Sequence, residues 1–600
     1  MPSCIDSWIS NKSESTVNNT PRNTEYSPIF IQLLANRNLT GIEEIRSYLS
    51  PSLKSLHRPE LLPNIEEATD RVKKAILEKE KVLIFGDYDT DGIISTAMMY
   101  NFLNDFNINA DYYIPDRFKE GYDINIDFLE KNEIEKKYDL VICVDCGSNA
   151  IDVQEHVLSG KIDIDIVACD HHEIVVTDRI KSFKKHKSYA GDKSFGKSSN
   201  CYIIINPKYP DSSYPFKMLS GGGVTFKFIW SILKNTGLPG VEPKDYLKKL
   251  LDLVAITTVA DLMPLVDENR IIVNKGLIFI KKTKNFGLQK LLEKILENRE
   301  EISTYDIGFL LSPRLNASGR MEDATDSLKI LINDSFDEKE IEALISKINT
   351  LNIERQKLQH SMLNEIEESC DFDKIRRQDK AFISKSAEWS EGILGVVASD
   401  IVKKHNIPAI LFKNNKGILR GSGRSTDTFN LYENLELLKK HFIKFGGHQQ
   451  ACGITMAIEN YEPFRREFIE IAGSKIHTEE LKKRFYYDIE INFSELDMKL
   501  LDEIKLMEPF GIGNKRPLFL TCKCQINNDV YISKNEKHAF FQLKNSNRVY
   551  GAVMFNYRDE GRRADVLCKG RYIDILYNIE KNKNNNKKHP GIRIIIQSFR

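Results

Sequence analysis

The sequence lacks any excess of charge. Its 600 residues carry 86 Lys and Arg against 86 Asp and Glu, a formal net charge of zero. Composition therefore gives no pull toward a polyanion, and any nucleic-acid site has to be built locally. It also lacks long apolar runs. No stretch reaches the roughly 18 apolar residues of a membrane span. The polar opening MPSCIDSWISNKSESTVNNT has no apolar core of the kind a secretion signal needs. These absences point to a cytoplasmic protein with no membrane partner. A disulfide framework is missing too. Ten cysteines are scattered along the chain, and Cys143 and Cys146 form the only C-x-x-C. No second such pair or histidine pair at zinc-finger spacing accompanies them, so the thiols read as reduced and structural zinc is not expected.

What is present is an ordinary globular composition, 41% hydrophobic and 29% charged, long enough for three to five domains. Residues 1–24 are Ser, Asn and Thr rich and are expected to fray. Residues 25–80 show helical apolar periodicity and form a helical lead-in. Short apolar runs then alternate with helical patterns: KVLIFGD, DYYIP, DLVICVDCG, DIDIVACDHH and CYIIINP. That alternation builds a parallel sheet with helices on both faces, and ligands bind such sheets beyond the carboxyl ends of the strands. Two helices follow near 221–235 and 245–259, then a charged connector over 333–375. A second, smaller α/β unit is expected over 376–480. The alternating strand pattern of 481–600 reads as a small β-barrel, with KNKNNNKKH (581–589) as a low-complexity loop in its final hairpin.

Chemistry concentrates at the strand ends. GDYDTDG gathers Asp87, Asp89 and Asp91 within five positions, VDCG adds Asp145, CDHH adds Asp170, His171 and His172, and VADLMPL adds Asp261. Close bare carboxylates repel by roughly 1 kcal/mol per pair even in water, so a divalent cation is the natural partner. The competing reading of the first motif is a solvated turn or helix N-cap. Several oxygen donors with one or two imidazoles suit Mn or Mg better than zinc.

DYDTDG, VDCG, DHH and VADLMPL, in that order, resemble the motifs of the DHH phosphoesterase superfamily. The later motifs PRLNASGR, LNIERQ, WSEGILGVVAS, GSGRS, FGGHQQACG and EPFGIGN resemble the RecJ family of single-stranded-DNA exonucleases. The resemblance covers residues 25 to the C-terminus. It implies a parallel-sheet DHH domain over 81–332, a connector helix over 333–375, a DHH-associated domain over 376–480 and an OB-fold-like barrel over 481–600. The implied activity is a 5′-to-3′ exonuclease releasing mononucleotides from single-stranded DNA in recombination and repair, with two Mn2+ or Mg2+ ions. By motif match Asp89, Asp91, Asp145, His171 and Asp261 bind the metals with Asp145 bridging. Asp87 belongs with the metal set, His172 contacts substrate phosphate, and Asp170 orients a ligand. Two ions can activate water and stabilise both oxygens of an in-line displacement.

Substrate-binding candidates are Arg117 and Tyr122 in PDRFKEGYDI, Arg314, Asn316 and Arg320 in PRLNASGR, and Asn352, Arg355 and Gln356 in the connector. Ser422, Arg424, Gly446, Gly447 and His448 are read as glycine-rich turns that hold a terminal or scissile phosphate. In the barrel, Lys534, Lys537, His538, Phe540, Phe541 and Arg548 are candidate strand contacts. Four positions depart from the family pattern: Asp123 where EGY is usually followed by glycine, Ser390, Asp400 and Cys452. A helicase and a single-strand-binding protein are the expected partners, and the chain is expected to act as a monomer. Two other readings compete: a phosphodiesterase of the same superfamily acting on oligonucleotides or cyclic dinucleotides, and a non-catalytic DNA-binding scaffold. The barrel argues against the first, and the complete set of metal ligands against the second.

Overall fold

The first described element is a strand. Ser7–Ser10 (β1) pairs in parallel with Arg484–Tyr487. The Arg600 guanidinium lies 4.3 Å from the Trp8 ring, and the Ser598 hydroxyl donates to Asp6 at 3.1 Å. The fraying expected over 1–24 is therefore corrected at residues 7–10, where Trp8 finds a cation and an otherwise open strand edge finds a partner. The computed structural model describes residues 6–11, 25–175, 200–236, 242–296, 299, 301–332, 337–557, 567–582 and 591–600. The chain divides into two compact units. One is Ser50–Glu354 with Pro509–Lys515, and the other is Met1–Leu49 with Arg355–Glu508 and Arg516–Arg600. The lead-in expected over 25–80 is thus shared. Its first part is tied to the C-terminal half of the chain, through Ser27 to Glu503 and through Asn36 and Arg37 to Asp488.

In the unit built on Ser50–Glu354, the helix Ile65–Glu78 (α1) leads into Val82–Phe85 (β2), followed by the helix Thr90–Asp105 (α2). Ala110–Tyr113 (β3), Leu140–Val144 (β4), Asp165–Cys169 (β5) and Tyr202–Ile205 (β6) complete a five-stranded sheet in the order β3-β2-β4-β5-β6. Every pairing is parallel. β2 and β4 are buried throughout, as strands covered on both faces must be. Val82 and Ile84 pack with α1, α2 and the helices Gly221–Thr236 (α3) and Pro243–Ala260 (α4), while Leu83 and Phe85 point to the opposite core with Phe128 and Val153. The strand order reverses direction between β2 and β4, so the crevice beyond their carboxyl ends is the place where such a sheet binds ligand. Further on come the helix Ser312–Met321 (α5) and the 32-residue helix Glu338–Ser369 (α6), which contains the boundary between the units.

The other unit holds a five-stranded sheet of Phe382–Ser386 (β7), Ala409–Asn415 (β8), Ile418–Arg424 (β9), Lys444–His448 (β10) and Ala451–Ala457 (β11), in the order β10-β11-β9-β8-β7. The helix Leu394–His405 (α7) links β7 to β8. GSGR, read both as the end of a strand and as a glycine-rich turn, lies in β9, while FGGH is not a turn, as its glycines suggested, but lies in β10. Gly421 sits where a Cβ would be 2.3 Å from the Phe412 ring, so glycine here serves close packing between strands. Arg484–Tyr487 (β12) and Ile489–Glu490 (β13) follow. Phe519–Ile526 (β14), Tyr531–Ile532 (β15), His538–Asn545 (β16), Arg548–Phe555 (β17), Tyr572–Lys581 (β18) and Ile592–Phe599 (β19) form the C-terminal sheet. Pairing of β14 with both β18 and β16 closes β14-β18-β19-β17-β16 into a five-stranded barrel. The low-complexity loop lies outside the described residues beyond Asn582. No helix among the described residues is long and apolar enough to cross a membrane.

Candidate active site

Three strand ends and one helix end build the site. After β2, Gly86 leaves no room for a side chain, since a Cβ there would lie 1.9 Å from the Thr96 hydroxyl. Asp87 follows, buried. Asp89 caps α2, its Oδ1 accepting the N–H groups of Asp91 and Gly92 at 2.9 and 3.2 Å. The helix-cap reading of GDYDTDG is therefore correct for one oxygen of one aspartate. Asp91, in the first turn of α2, accepts the N–H of Gly221 at 2.7 Å and of Gly222 at 2.8 Å, so both its oxygens are held by the first turn of α3. Gly221 in turn packs on Asp145, where a Cβ would fall 2.3 Å from Oδ1. The run SGGGV at 220–224 was not singled out from sequence. Its signal was three glycines opening a helix, a place where close approach needs bare backbone.

Asp145 follows β4 with a left-handed backbone, φ +62°. His171 follows β5, its Nε2 lying 3.2 Å from Asp145 Oδ1, 3.5 Å from Asp261 Oδ2 and 3.9 Å from Asp91 Oδ2. Asp261 is the C-cap of α4. The ligand atoms fall into three overlapping groups, each within 4.8 Å: Asp87, Asp89 and Asp145; Asp91, His171 and Asp261; Asp145, His171 and His172. Asp87 Oδ1, Asp145 Oδ1 and Asp261 Oδ2 are buried without a hydrogen-bond donor. Burial and neighbouring carboxylates push Asp87, Asp145 and Asp261 well above the usual carboxylate range and Asp91 up to about 7. Burial and the adjacent His172 hold His171 down to about 3, neutral and so able to ligate. Buried carboxylate oxygens without donors around a neutral imidazole are a donor set that fits hard divalent cations.

Asp170 accepts the N–H groups of His171 and His172 and the His172 Nδ1–H at 2.8 Å on one oxygen, and the N–H of Ser148 on the other. It thus fixes the whole His-His turn and aims His172. Against the opposing effect of burial, the Asp170 hydrogen bond and the surrounding carboxylates push His172 up to about 9. Tyr122 donates its hydroxyl to the Asp145 carbonyl at 3.1 Å and lies 3.0 Å from His172 Nδ1. Asn206, also unnoticed in the sequence, donates to the His172 carbonyl and the Ser148 hydroxyl.

The substrate candidates divide. Arg117 lies over the Tyr88 ring at 4.9 Å, beside the GDYDTDG turn. The nearby charges of Arg117 and Arg320 both act on Tyr88. Asn316 Oδ1 accepts the Thr90 N–H at 2.8 Å, which anchors the start of α2. Arg314 is braced on the Leu310 carbonyl and Asn349. Asn352 is buried, only 2% exposed. Arg355 is buried and bound to Gln359, whose amide donates to Asp400, while Gln356 remains exposed. In the sheet of the second unit, Arg424 stands opposite Ala451 and Ala451 opposite His448, while Ser422 stands opposite Gly453 and Gly453 opposite Gly446. Alternation puts Ser422, Arg424, Gly446 and His448 on one face and Gly447 on the other. The Arg424 guanidinium accordingly lies against Gly395 in the first turn of α7, where a Cβ would fall 2.6 Å from Nη2. In the barrel, Phe541 is buried and corrected as a contact, whereas His538 and Phe540 alternate outward from it.

A profile of the DHH family N-terminal domain matches residues 81–258, the DHHA1 domain matches 378–474 and the RecJ OB domain matches 487–595. The chain is 33% identical over 571 residues to the single-stranded-DNA-specific exonuclease RecJ of Bacillus subtilis strain 168, covering 95% of this chain and 67% of that protein. It is 28% identical over 517 residues to the Escherichia coli K12 protein of the same name, covering 82% and 83%. The crystal structure of RecJ in complex with Mn2+ from Thermus thermophilus shares the fold, with a TM-score of 0.77 at 23% identity over 99% of this chain and 79% of that one. A crystal structure of an exonuclease RecJ bound to manganese matches with a TM-score of 0.56 at 26% identity, covering 71% and 98%. With the carboxylates and histidines of its DHH unit standing where that sheet binds ligand, the chain belongs to the RecJ family.

Proposed function

We propose that the chain is a metal-dependent, single-stranded-DNA-specific exonuclease that works from the 5′ end and releases mononucleotides. The observation that carries this reading is the set of buried, donorless carboxylate oxygens of Asp87, Asp145 and Asp261 around the neutral imidazole of His171. Asp87, Asp89, Asp91, Asp145, His171 and Asp261 would hold Mn2+ or Mg2+, and the bound ions would supply activation of water at neutral pH and stabilisation of phosphoryl charge. The protein's own part is positional. Gly221 and Gly222 N–H groups hold both oxygens of Asp91 in one orientation. Asp170 keeps His172 protonated and directed, so that an imidazolium N–H is offered to a phosphate oxygen. Arg424 and Ser422, on the β9 face against the first turn of α7, take the 5′ phosphate. His538 and Phe540 of the barrel guide the following strand.

The chain acts as a cytoplasmic monomer in recombination and repair, supplied with single strands by a helicase and a single-strand-binding protein. The test is digestion of end-labelled single-stranded DNA, duplex DNA and RNA with Mn2+ or Mg2+. Mononucleotides released from the 5′ end of single-stranded DNA alone support the reading. Release from the 3′ end, or equal cutting of duplex, overturns it.

A further inference from the structure

Directly beyond the metal ligands, the DHH unit exposes a group of apolar side chains. Leu262, next in the chain after Asp261, is 66% exposed and has a left-handed backbone, φ +56°. A large apolar residue held at positive φ with its side chain in water is strained and uncompensated by burial. Across Val259 stands a single π-helical turn, Ile307–Leu311, where a Cβ added to Gly308 would lie 3.9 Å from the Val259 side chain, and the Leu262 N–H donates to the Val259 carbonyl. From that turn Phe309 projects, 61% exposed, and stacks on Tyr305, itself 57% exposed, with ring centroids 4.7 Å apart and 23° between planes. Irregular helical turns of this kind recur at functional sites. Ile512 and Val266 extend the surface, the Ile512 carbonyl accepting the Leu265 N–H.

We infer that Leu262, Phe309 and Tyr305 form a shelf on which unpaired bases of the substrate strand stack as it passes Asp261. The inference rests on the exonuclease reading and extends it to a base-binding subsite. Three features favour bases as the occupant. The surface is continuous with the metal cleft, because Leu262 is bonded to Asp261. Its aromatic rings present flat faces suited to stacking, which every base tolerates regardless of sequence. Arg314, braced on the Leu310 carbonyl of the same π turn, places a cation beside the shelf for the backbone that carries those bases.

The test compares Mn2+-dependent digestion of a 5′-phosphorylated single strand with that of an equal strand carrying abasic residues at positions 2 to 5. The full chain is used as wild type, Phe309→Ala, Tyr305→Ala, Phe309→Trp and Tyr305→Trp. For the wild type, the abasic strand should show a KM about tenfold higher, in line with base–aromatic stacking. The alanine variants should raise KM about tenfold on the base-bearing strand with little change on the abasic one, and the tryptophan variants should restore it. Equal KM for both strands in the wild type, or equal losses on both strands in the alanine variants, overturns the shelf. A wild-type dimer that Phe309→Ala converts to monomer with unchanged KM also overturns it, by assigning the surface to a second copy. A wild type that shortens neither strand removes the exonuclease reading itself, a result separate from all of these.

Discussion

The Asp123 carboxylate accepts the backbone N–H of Gly147 at 2.8 Å, joining the Tyr122 turn to the turn that carries Asp145. Asp123 adopts φ +76°, the conformation that makes glycine usual at this place in the family pattern. Aspartate tolerates it and adds an acceptor that glycine lacks. Asp123→Gly should keep the backbone but free Gly147, weakening Mn2+ binding by about tenfold, the scale of one lost hydrogen bond to a charged group. Asp123→Asn, which keeps an acceptor oxygen, should stay within about twofold. Calorimetric titration with Mn2+ checks this. Identical affinities for the two variants would show that the contact positions nothing.

Burial, and then the charge of Asp170, push Asp123 up to about 7, with His172 opposing. The sign follows from linkage. A carboxyl titrating near 4 when unfolded and near 7 when folded binds more protons in the native state between those values, so it removes stability as pH rises from about 4 to about 7. Asp123→Asn cannot ionise. Its melting temperature relative to wild type in EDTA should therefore climb across that window and level off above it. A difference that does not vary with pH would place the group elsewhere.

Burial and the charges of Asp91, Asp89, Asp261 and Asp87 raise Asp145, so in metal-free protein it is a centre of repulsion. Asp145→Asn should abolish nuclease activity and the stabilisation by Mn2+. It should at the same time raise the metal-free melting temperature by about 1–2 °C, the change that 1 kcal/mol makes in a unit as large as Ser50–Glu354. Differential scanning calorimetry with EDTA and with Mn2+ reads both effects. A lower metal-free melting point would mean that Asp145 is bound through contacts other than a cation.

Gly221 and Gly473 make opposite predictions from the same substitution. A Cβ on Gly221 would lie 2.3 Å from Asp145 Oδ1, whereas one on Gly473, in the helix Tyr461–Lys475, meets nothing within 4 Å. Gly221→Ala should cost at least about tenfold in Mn2+ affinity, as displacement of a ligand's neighbour does. Gly473→Ala should leave turnover unchanged and stabilise the protein by about 0.5–1 kcal/mol, by removing backbone freedom from the unfolded chain. Urea melts and metal titrations of the two variants check the pair.

The sheet of the DHH unit was legible because its strands are buried on both faces and read as unbroken apolar runs, as in LVICV and VLIF. Its chemistry was legible because parallel sheets put function at strand ends. What escaped depends on long-range partners or broken periodicity. β1 needs Arg484–Tyr487 for its pairing. β14 is interrupted at Lys523, φ +52°, where the register with β18 shifts and the alternation of LFLTCKCQ is lost. β10 hides behind Gly446 and Gly447, residues that favour turns in isolation. Asn316 and Asn352 carry side chains suited to substrate, and only packing shows that one anchors a helix and the other is buried. Asp87, placed with the metal set by the motif match, has a donorless buried oxygen and groups with Asp89 and Asp145.

Arg424 tests the proposed 5′-phosphate contact apart from the metals. Its Nη1 donates to the Ser422 hydroxyl and the Gly423 carbonyl, so the guanidinium is preorganised on the β9 face. A fixed fork against the first turn of a helix binds a phosphate dianion better than a hydroxyl terminus. Arg424→Ala should then raise KM for 5′-phosphorylated single strands by about 10- to 100-fold, the range of a lost charge-assisted hydrogen bond. For 5′-hydroxyl strands KM should move much less, so the preference between the two ends collapses. The metal response should be intact, because Arg424 is not among the residues that would hold the ions. Competition digests of the two strands in one reaction measure the preference directly, and a ratio equal to wild type would remove Arg424 from the phosphate site.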